Sequence, residues 1–325
     1  MCIMTTTTAT GETTTQDLAL AIDIGGTKAE AALVDSNGVV VPGSRFRRPT
    51  GPGSSSDELA AAVRSVLSDA LAARAPGTNL LGVGVGSAGP IGLREGTTSP
   101  LNVPAWRGYP IRELVIDTVP DVPVTFRMDG LCIALAEHWV GAGRGFDNVM
   151  GMIVSTGVGG GLVVQGQAVE GPTGNAGHIG HVEVGGFDVA CKCGGIGCVE
   201  AIASGPKSVE WAVSQGWVGA TGEDLAAAYA AGDPIAHAAV ERAGRAIGQS
   251  IASATSLVDL ELVAIGGGFS RVTPDLFGFI HAAIAKRAQF EFVTKVQVVP
   301  SALSDAGPLI GAAALIHRAE MLSHH

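Results

Sequence analysis

The chain has 325 residues, enough for about two domains of ordinary size. Glycine fills 47 positions and charged residues make up only 15% of the chain, a composition that favours tight turns and close backbone contacts. A formal net charge of −10 argues against a nucleic-acid partner, and no apolar run reaches the ~18 residues of a membrane-spanning helix.

The first segment, residues 1–16, is dominated by threonine. It lacks the basic and apolar regions of a secretory signal, and it has too few apolar residues to build a core. We therefore expect a disordered N-terminal tail and a cytoplasmic protein.

The stretch 18–41 reads as an apolar strand, a glycine turn and a second strand, followed by an Asn-Gly turn and a third strand. An alanine-rich helix over 56–75, with Ser56 or Asp57 as its N-cap, leads into an apolar strand over 80–86. This succession of helix and strand indicates an α/β protein.

The middle of the chain repeats the opening pattern. Residues 90–110 hold four prolines and are predicted to form a loop, after which come a strand over 122–128 and a helix near 130–140. A second strand, glycine turn and strand then span 148–166. Because this unit resembles the first, we predict two related halves that meet near residue 125.

The last part of the chain begins with residues 171–200, which are rich in glycine and cysteine and show no periodicity. Helices dominate after them to residue 256. A strand, a helix, another strand and an alanine-rich helix over 307–323 complete the pattern.

The first glycine turn, DIGGTK, carries groups that a plain hairpin does not need. Gly25 and Gly26 let backbone N–H groups approach a phosphate, while Thr27 offers a hydroxyl, Lys28 a cation and Asp23 a carboxylate for Mg²⁺. The turn therefore indicates nucleotide binding, with an ordinary hairpin turn as the alternative.

Two further glycine turns strengthen the nucleotide interpretation. The segment STGVGGG at 155–161 lies at the matching place in the second unit, and Thr156, Gly157 and Gly159 are its candidate phosphate contacts. A third turn, with Gly266, Gly267 and Gly268, joins an apolar strand to a predicted helix and suits a nucleotide, although such turns are common in α/β folds.

A fourth glycine-rich segment, over 84–89, formally fits the dinucleotide fingerprint GxGxxG. That fingerprint must open a helix, whereas Pro90 and Gly92 here begin a loop. We therefore do not expect a Rossmann-type site.

One imidazole and three thiols are spaced as a metal site: His181, Cys191, Cys193 and Cys198. Four such ligands form the closed tetrahedral set of a structural Zn²⁺. Free buried thiols or a redox role are the alternatives, since the CxC spacing is tight. A metal here would also hold Glu200, two residues further along, in place.

Asp129 stands where a strand gives way to a helix. It can serve as a helix cap, whose carboxylate the positive end of the helix keeps ionised. It can also serve as a general base that accepts a proton from a hydroxyl attacking ATP.

Together, these ordered motifs resemble the ROK family of bacterial sugar kinases, and especially its zinc-containing, ATP-dependent glucokinases. The resemblance runs from about residue 18 to the end of the chain. It implies the α/β, actin-like (ribonuclease-H-like) ATPase fold, with two duplicated domains around a cleft. A small domain over 17–125 would be joined by the helix over 307–323, and a large domain over 126–306 would carry the zinc loop.

The resemblance also implies ligands and roles. ATP phosphates would bind at 21–28 and 155–161, the adenosine would lie by 266–268, and Mg²⁺ would bind at Asp23. Structural Zn²⁺ and a homodimer are implied as well. The substrate-binding residues would be Gly89, Asn102, Asp129, His178, His181 and Glu200, of which Asp129 is the catalytic base.

Two residues depart from the family pattern. Met128 stands where the family has an asparagine, and His178 where it has a glutamate, and both family residues would bind sugar hydroxyls. Losing one such hydrogen bond in a desolvated site costs roughly 1 to 3 kcal/mol. A histidine can replace part of that bonding, whereas a methionine cannot.

The sequence therefore predicts an ATP- and Mg²⁺-dependent hexose kinase, first of all a glucokinase acting on the 6-hydroxyl of glucose. Alternatives are a kinase for another hexose, an N-acetylhexosamine or a polyol. A non-catalytic sugar sensor or a ROK-type transcriptional regulator is the alternative from another class. The regulator is disfavoured because about 17 residues precede the first strand, too few for a helix-turn-helix domain. No nucleic acid and no membrane are expected as partners.

Overall fold

The computed structural model describes residues 15–51, 53–287, 289–303 and 305–322. The predicted disordered tail over 1–16 therefore lies outside the described residues except for its last two positions.

The first half of the fold is a mixed sheet with helices on both faces. Its elements in chain order are β1 (Asp17–Ile24), β2 (Lys28–Asp35), β3 (Phe46–Pro49), α1 (Ser56–Ala72), β4 (Asn79–Ser87), β5 (Ile91–Gly92), β6 (Thr97–Thr98), α2 (Ile111–Thr118), β7 (Val124–Met128) and α3 (Asp129–Val140). The sheet order is β3-β2-β1-β4-β7, antiparallel through β3, β2 and β1 and parallel through β1, β4 and β7.

The second half repeats this plan. Its elements are β8 (Val149–Val154), β9 (Val158–Val164), β10 (Gln167–Ala168), α4 (Val199–Ala203), α5 (Gly205–Ser214), α6 (Gly222–Ala230), α7 (Pro234–Val258), β11 (Leu262–Gly266), α8 (Asp275–Arg287), α9 (Glu291–Thr294), β12 (Gln297–Pro300) and α10 (Gly307–His317). The order β10-β9-β8-β11-β12 has the same directions as the first sheet, so the two hairpins β1–β2 and β8–β9 hold equivalent places.

Side-chain alternation along β1 explains why this sheet is covered on both faces. Leu20 and Ile22 pack with α1 and α2, whereas Ala19 and Ala21 pack with α3 and α10. The alanine face lets helices approach closely, and α10 thereby returns from the end of the second half to cover the first sheet.

Glycines make the contacts of α10 possible. A Cβ at Gly84 of β4 would lie 1.8 Å from the carbonyl oxygen of Ala312, and one at Gly311 would lie 1.8 Å from the carbonyl oxygen of Cys132 in α3. Backbone therefore packs directly on backbone along this seam.

The start of α3 is equally close to the second sheet. A Cβ at Gly130 would lie 2.2 Å from the carbonyl oxygen of Gly160 in β9, and one at Gly161 would lie 2.4 Å from that of Gly130. Helix α3 is thus held between β9 and α10, and Asp129 is its first residue.

Local structure departs from the sequence predictions where tertiary pairing decides. The third strand of the opening unit is Phe46–Pro49, while Val40 makes only a single bridge to Val34. The predicted loop 90–110 contains the short β5–β6 hairpin. The last helix ends at His317, not at 323.

Helix α1 also begins differently from the prediction. Its N-cap is Ser55, whose hydroxyl accepts a hydrogen bond from the Glu58 N–H while the Glu58 carboxylate accepts one from the Ser55 N–H. This reciprocal capping box satisfies two helix-end donors, which neither Ser56 nor Asp57 does here.

Among the described helices, not one combines the length and apolar character needed to cross a bilayer.

The seam between α3 and α10 predicts a sharp difference between two helical glycines. Gly311→Ala should lower the free energy of unfolding by about 3 kcal/mol, because the new methyl group meets backbone that cannot move aside. Gly278→Ala is the matched control, since Gly278 lies exposed in α8 with no atom within 4 Å of a Cβ.

The control should raise stability by about 0.5 to 1 kcal/mol through helix propensity. Urea titration followed by circular dichroism measures both variants. Equal stabilities of the two variants would contradict the seam.

Candidate active site and metal centre

The first hairpin, β1–β2, has a turn that the backbone itself shapes. The Gly25 N–H donates to the Lys28 carbonyl at 2.9 Å, and Thr50 closes over the turn with its N–H on the Thr27 carbonyl and its hydroxyl on the Gly25 carbonyl. The Thr27 side chain is exposed at the tip, where it can reach a ligand.

The Lys28 ammonium is not free beside this turn. It contacts the Glu30 carboxylate, which also accepts hydrogen bonds from Arg45 and Arg47. Burial alone would raise the pKa of Glu30, but these cations lower it below its ordinary value. The predicted phosphate contact by Lys28 would therefore have to compete with a buried carboxylate.

The second hairpin, β8–β9, lies against the third glycine turn. The Ser155 N–H donates to the Gly157 carbonyl at 2.8 Å, and the Ser155 carbonyl accepts from the Gly205 N–H at 2.8 Å. A Cβ at Gly268 would lie 3.7 Å from the Ser155 hydroxyl oxygen. The candidate phosphate turn and the candidate adenosine turn are thus neighbours.

Gly267 needs to be glycine in this arrangement. Its φ is +97°, and a Cβ there would lie 2.4 Å from the carbonyl oxygen of Val154. Thr156 is exposed at the hairpin tip, and nothing lies within 4 Å of a Cβ at Gly159, so both leave room for a ligand.

Asp129 joins β7 to α3. Its Oδ1 accepts a hydrogen bond of 2.7 Å from the Gly130 N–H, while Met128 is the N-cap residue and makes no side-chain capping bond. Burial raises the pKa of Asp129 to about 6, the Gly130 N–H opposes the shift, and the Glu200 carboxylate adds to it. The carboxylate is therefore mostly ionised at neutral pH and yet basic enough to take a proton.

Asp23 faces the same space from the end of β1. Burial, followed by the charge of Asp129, raises the pKa of Asp23 to about 7, and Lys28 offsets part of the shift. A buried carboxylate whose pKa is raised further by a second carboxylate favours a bound cation, which would relieve the repulsion. This donor chemistry fits Mg²⁺ at Asp23.

The candidate sugar wall consists of Gly89, Met128 and His178. A Cβ at Gly89 would lie 3.0 Å from His178 Nε2 and 3.3 Å from Met128 Sδ. The two departures from the family pattern therefore converge on one small surface. Burial, together with His181, lowers the pKa of His178, so its ring is neutral at pH 7.

The imidazole of His178 has an unused polar atom. Its Nε2 is buried and has no hydrogen-bond partner among the described residues.

Asn102 approaches the candidate site from another side, since its Cβ lies 3.3 Å from where a Cβ of Gly26 would be. The loop with Asn102 therefore contacts the first hairpin.

The four predicted metal ligands meet at one point. The ligand atoms of His181, Cys191, Cys193 and Cys198 all lie within 4.8 Å of one another. His181 Nδ1 lies 3.7 Å from Cys191 Sγ, and Cys193 Sγ lies 3.6 Å from Cys198 Sγ. A zinc tetrahedron with bonds of ~2.3 Å has edges of ~3.8 Å, so the donor set fits Zn²⁺.

The segment that carries the four candidate metal ligands, residues 181–198, is called the metal loop, and it continues directly into the candidate active site. Cys198 is the N-cap residue of α4, and Glu200 lies in the first turn of that helix. Glu200 Oε2 accepts a hydrogen bond of 3.0 Å from the Val158 N–H, and a Cβ at Gly157 would lie 2.6 Å from the same oxygen. The carboxylate is thus held against the second hairpin.

Two contacts between the first and second halves of the chain were not anticipated from the sequence. Arg127 pairs with Glu170 two residues before Asp129, and the side chain of Asn175 binds the backbone of Ile91. A lone arginine in an apolar strand hinted at the ion pair, but nothing distinguished Asn175 within its glycine-rich segment.

Comparison with known proteins agrees with this geometry. A protein-family model described as ROK family matches residues 19–319. The chain is 32% identical over 300 residues to an N-acetylmannosamine kinase of Yersinia pseudotuberculosis, covering 90% of this chain and 96% of that protein.

Solved structures give the same result. A ROK family glucokinase from Streptomyces griseus, in complex with glucose and AMPPNP, matches with a TM-score of 0.80 and 29% identity, covering 93% of this chain and 99% of the other. A ROK family transcriptional regulator homologous to the Escherichia coli MLC protein matches at 0.80 with 23% identity, covering 94% and 78%. The predicted α/β, actin-like ATPase fold is confirmed.

The metal site predicts a selective loss of zinc. Protein purified without chelator should carry about one equivalent of zinc, and Cys198→Ser should carry less than about half, because thiolate ligands provide the affinity. Cys132→Ser is the matched control, since Cys132 is buried but lies outside the cluster. Elemental analysis by mass spectrometry measures all three proteins, and equal zinc in both variants would contradict the four-ligand site.

Proposed function

The chain belongs to the ROK family and is a sugar kinase, and on this premise we propose that it phosphorylates the 6-hydroxyl of an N-acetylhexosamine with ATP. N-acetylmannosamine is the first candidate and glucose the second. The observation that carries the proposal is the convergence of Met128 and His178 on Gly89.

The chemistry of this wall favours an acetamido group over a hydroxyl. Met128 is a buried, apolar and polarisable side chain directly beside Gly89, and such a neighbour suits a methyl group better than a hydroxyl. Neutral His178 offers one ring nitrogen as a donor to an amide carbonyl or as an acceptor from an amide N–H. A sugar hydroxyl at the same place would lose the paired amide and carboxylate ligands that the family pattern supplies.

The relatives support the kinase and divide on the sugar. The Yersinia relative is an N-acetylmannosamine kinase, and its acetamido sugar is of the kind that the candidate sugar wall favours. Glucose, the substrate first expected from the sequence, is supported by the Streptomyces glucokinase and by the presence of Asn102 and Glu200. A non-catalytic sensor is the third candidate, against which the raised pKa of Asp129 argues.

In the proposed reaction, Asp129 accepts the proton of the attacking hydroxyl. Asp23 and the hydroxyls of Thr27 and Thr156 would hold Mg·ATP, which supplies the phosphoryl group together with neutralising charge. Glu200, fixed by the metal loop, would bind the sugar from the side of the second hairpin. The zinc would serve structure alone, because four protein ligands leave it no open position.

We also propose the assembly and the location that the resemblance implies, a cytoplasmic homodimer. The small domain, 17–125 with the last helix, and the large domain, 126–306, would close around the sugar. A monomer mass at working concentration would overturn the dimer.

The candidate sugar wall predicts that two substitutions change which sugar the enzyme prefers. The double variant Met128→Asn with His178→Glu should raise kcat/KM for glucose relative to N-acetylmannosamine by about tenfold or more, because it restores two hydroxyl ligands. His281→Glu is the control for the added charge, since His281 is exposed on α8, and its sugar preference should not change.

The measurement is ADP release from Mg·ATP with glucose, mannose, N-acetylglucosamine and N-acetylmannosamine. Asp129→Asn should lose at least ~100-fold in kcat with any accepted sugar, which identifies the base. An unchanged sugar preference in the double variant would contradict the role of the candidate sugar wall. If the native protein phosphorylates none of these sugars, the proposed function is wrong.

The raised pKa of Asp129 predicts an acidic limb in the pH profile. At pH values below its pKa of about 6, the Asp129 carboxyl is protonated and cannot accept a proton. The kcat/KM for the sugar should therefore rise with pH and level off above neutrality. The fall from about pH 8 to about pH 5 should be near tenfold. A flat profile over this range would contradict Asp129 as the base.

A further inference from the structure

One side chain joins the two halves of the protein beside the sugar wall. Asn175 Oδ1 accepts a hydrogen bond of 2.8 Å from the Ile91 N–H, and Asn175 Nδ2 donates one of 2.7 Å to the Ile91 carbonyl. Ile91 lies in β5 of the first half, and Asn175 lies in the loop after β10 of the second. We call this two-bond contact the clasp.

The clasp uses backbone groups that its own hairpin leaves available. In the β5–β6 hairpin, the neighbouring Ser99 N–H donates to the Pro90 carbonyl, so the N–H and carbonyl of Ile91 point away from β6. The side-chain amide of Asn175 then pairs with Ile91 as another strand would. Such a side chain needs one acceptor and one donor at its end, which asparagine has.

The loop around Asn175 presses closely on the same hairpin. Gly174 has φ +82°, and a Cβ there would lie 2.9 Å from both Ile91 Cδ1 and Leu93 Cβ. The Leu93 N–H also approaches the Thr173 carbonyl at 3.4 Å. These contacts leave no space for the loop around Asn175 to shift along the β5–β6 hairpin.

This contact bears on the wall because of where it falls in both segments. Asn175 precedes His178 by three residues, and Ile91 follows Gly89 by two. Between them, Gly177 lies against β9, where a Cβ would meet Gly161 Cα at 2.9 Å. The short segment that leads into His178 is thus held at two points, by the clasp at Asn175 and by β9 at Gly177.

We propose that Asn175 is a positioning residue, whose clasp on Ile91 holds His178 against Gly89 and thereby sets the choice between N-acetylated and unmodified sugars. The inference rests on the proposed function, which supplies the sugars to be distinguished. Without the clasp, the loop loses two hydrogen bonds that hold it to the hairpin, and the His178 imidazole loses its fixed distance from Gly89.

The kinetic test compares Asn175→Ala and Asn175→Asp with Thr173→Ala. The aspartate variant keeps an acceptor for the Ile91 N–H but places a second acceptor opposite the Ile91 carbonyl. Thr173→Ala is the matched control, because it removes only the 3.2 Å contact between the Thr173 hydroxyl and Asn175 Nδ2 and keeps both bonds to Ile91 and the bond from Nδ2 to the Thr173 carbonyl.

Both Asn175 variants should raise KM for N-acetylmannosamine about tenfold or more, with kcat and KM for ATP little changed. Their ratio of kcat/KM between N-acetylmannosamine and glucose should fall by a similar factor, while Thr173→Ala keeps the native values. A uniform loss with all sugars and with ATP, together with a lowered melting temperature, would show a merely structural role and overturn the proposal.

A second measurement separates the clasp from the proposed function. Hydrogen exchange of the Ile91 amide, followed by mass spectrometry in protein without ligand, should speed up about tenfold or more in Asn175→Ala, because the amide loses its acceptor. Unchanged exchange would overturn the clasp whatever the kinetics show. Faster exchange in a protein that phosphorylates none of the sugars would keep the clasp and sink the proposed function and, with it, the specificity role.

Discussion

The absence of side chains at a few backbone crossings is the constraint on which the site depends. Helix α3 lies between β9 and α10, and glycines at Gly130, Gly161 and Gly311 let the three backbones touch. Because backbone atoms cannot rotate out of the way, these contacts fix α3 more firmly than surface ion pairs would. Asp129, the first residue of α3, therefore takes its place from steric contacts, and its carboxylate accepts a hydrogen bond from the neighbouring Gly130 N–H.

Electrostatic interactions connect the carboxylates of the candidate site. Asp23 and Asp129 come from the first sheet and its junction with α3, while Glu200 comes from the first turn of α4; beside the effect of burial, Asp129 raises the pKa of Asp23 and Glu200 raises that of Asp129. Such a site is incomplete without cations, so nucleotide and metal binding would prepare the base for the sugar. The Glu200 contact with Val158 also couples the two ligand regions, since the segment that would hold zinc leads into a carboxylate bound to the hairpin that would hold phosphate.

The sequence was informative where chemistry requires fixed local spacing. The glycine turns, the four metal ligands and Asp129 are recognisable because each set lies within a short stretch of chain, and among them the structure brings the four metal-ligand atoms within 4.8 Å of one another. Features that depend on distant partners were missed. The position of β3, the β5–β6 hairpin and the contact of Asn175 with Ile91 depend on which strand or loop lies alongside, and no local pattern contains that information. The α1 cap was misplaced by one residue because several polar residues there could serve.

The return of α10 to the first sheet has a consequence for the order in which the protein acquires its structure. The alanine face of β1 and the glycine of β4 are covered by a helix that follows the whole second half in the chain. During synthesis on the ribosome, the first half emerges long before its covering helix does. Its sheet must wait with one apolar face open until translation is nearly finished, so chaperone contact with the nascent chain would fall on that face.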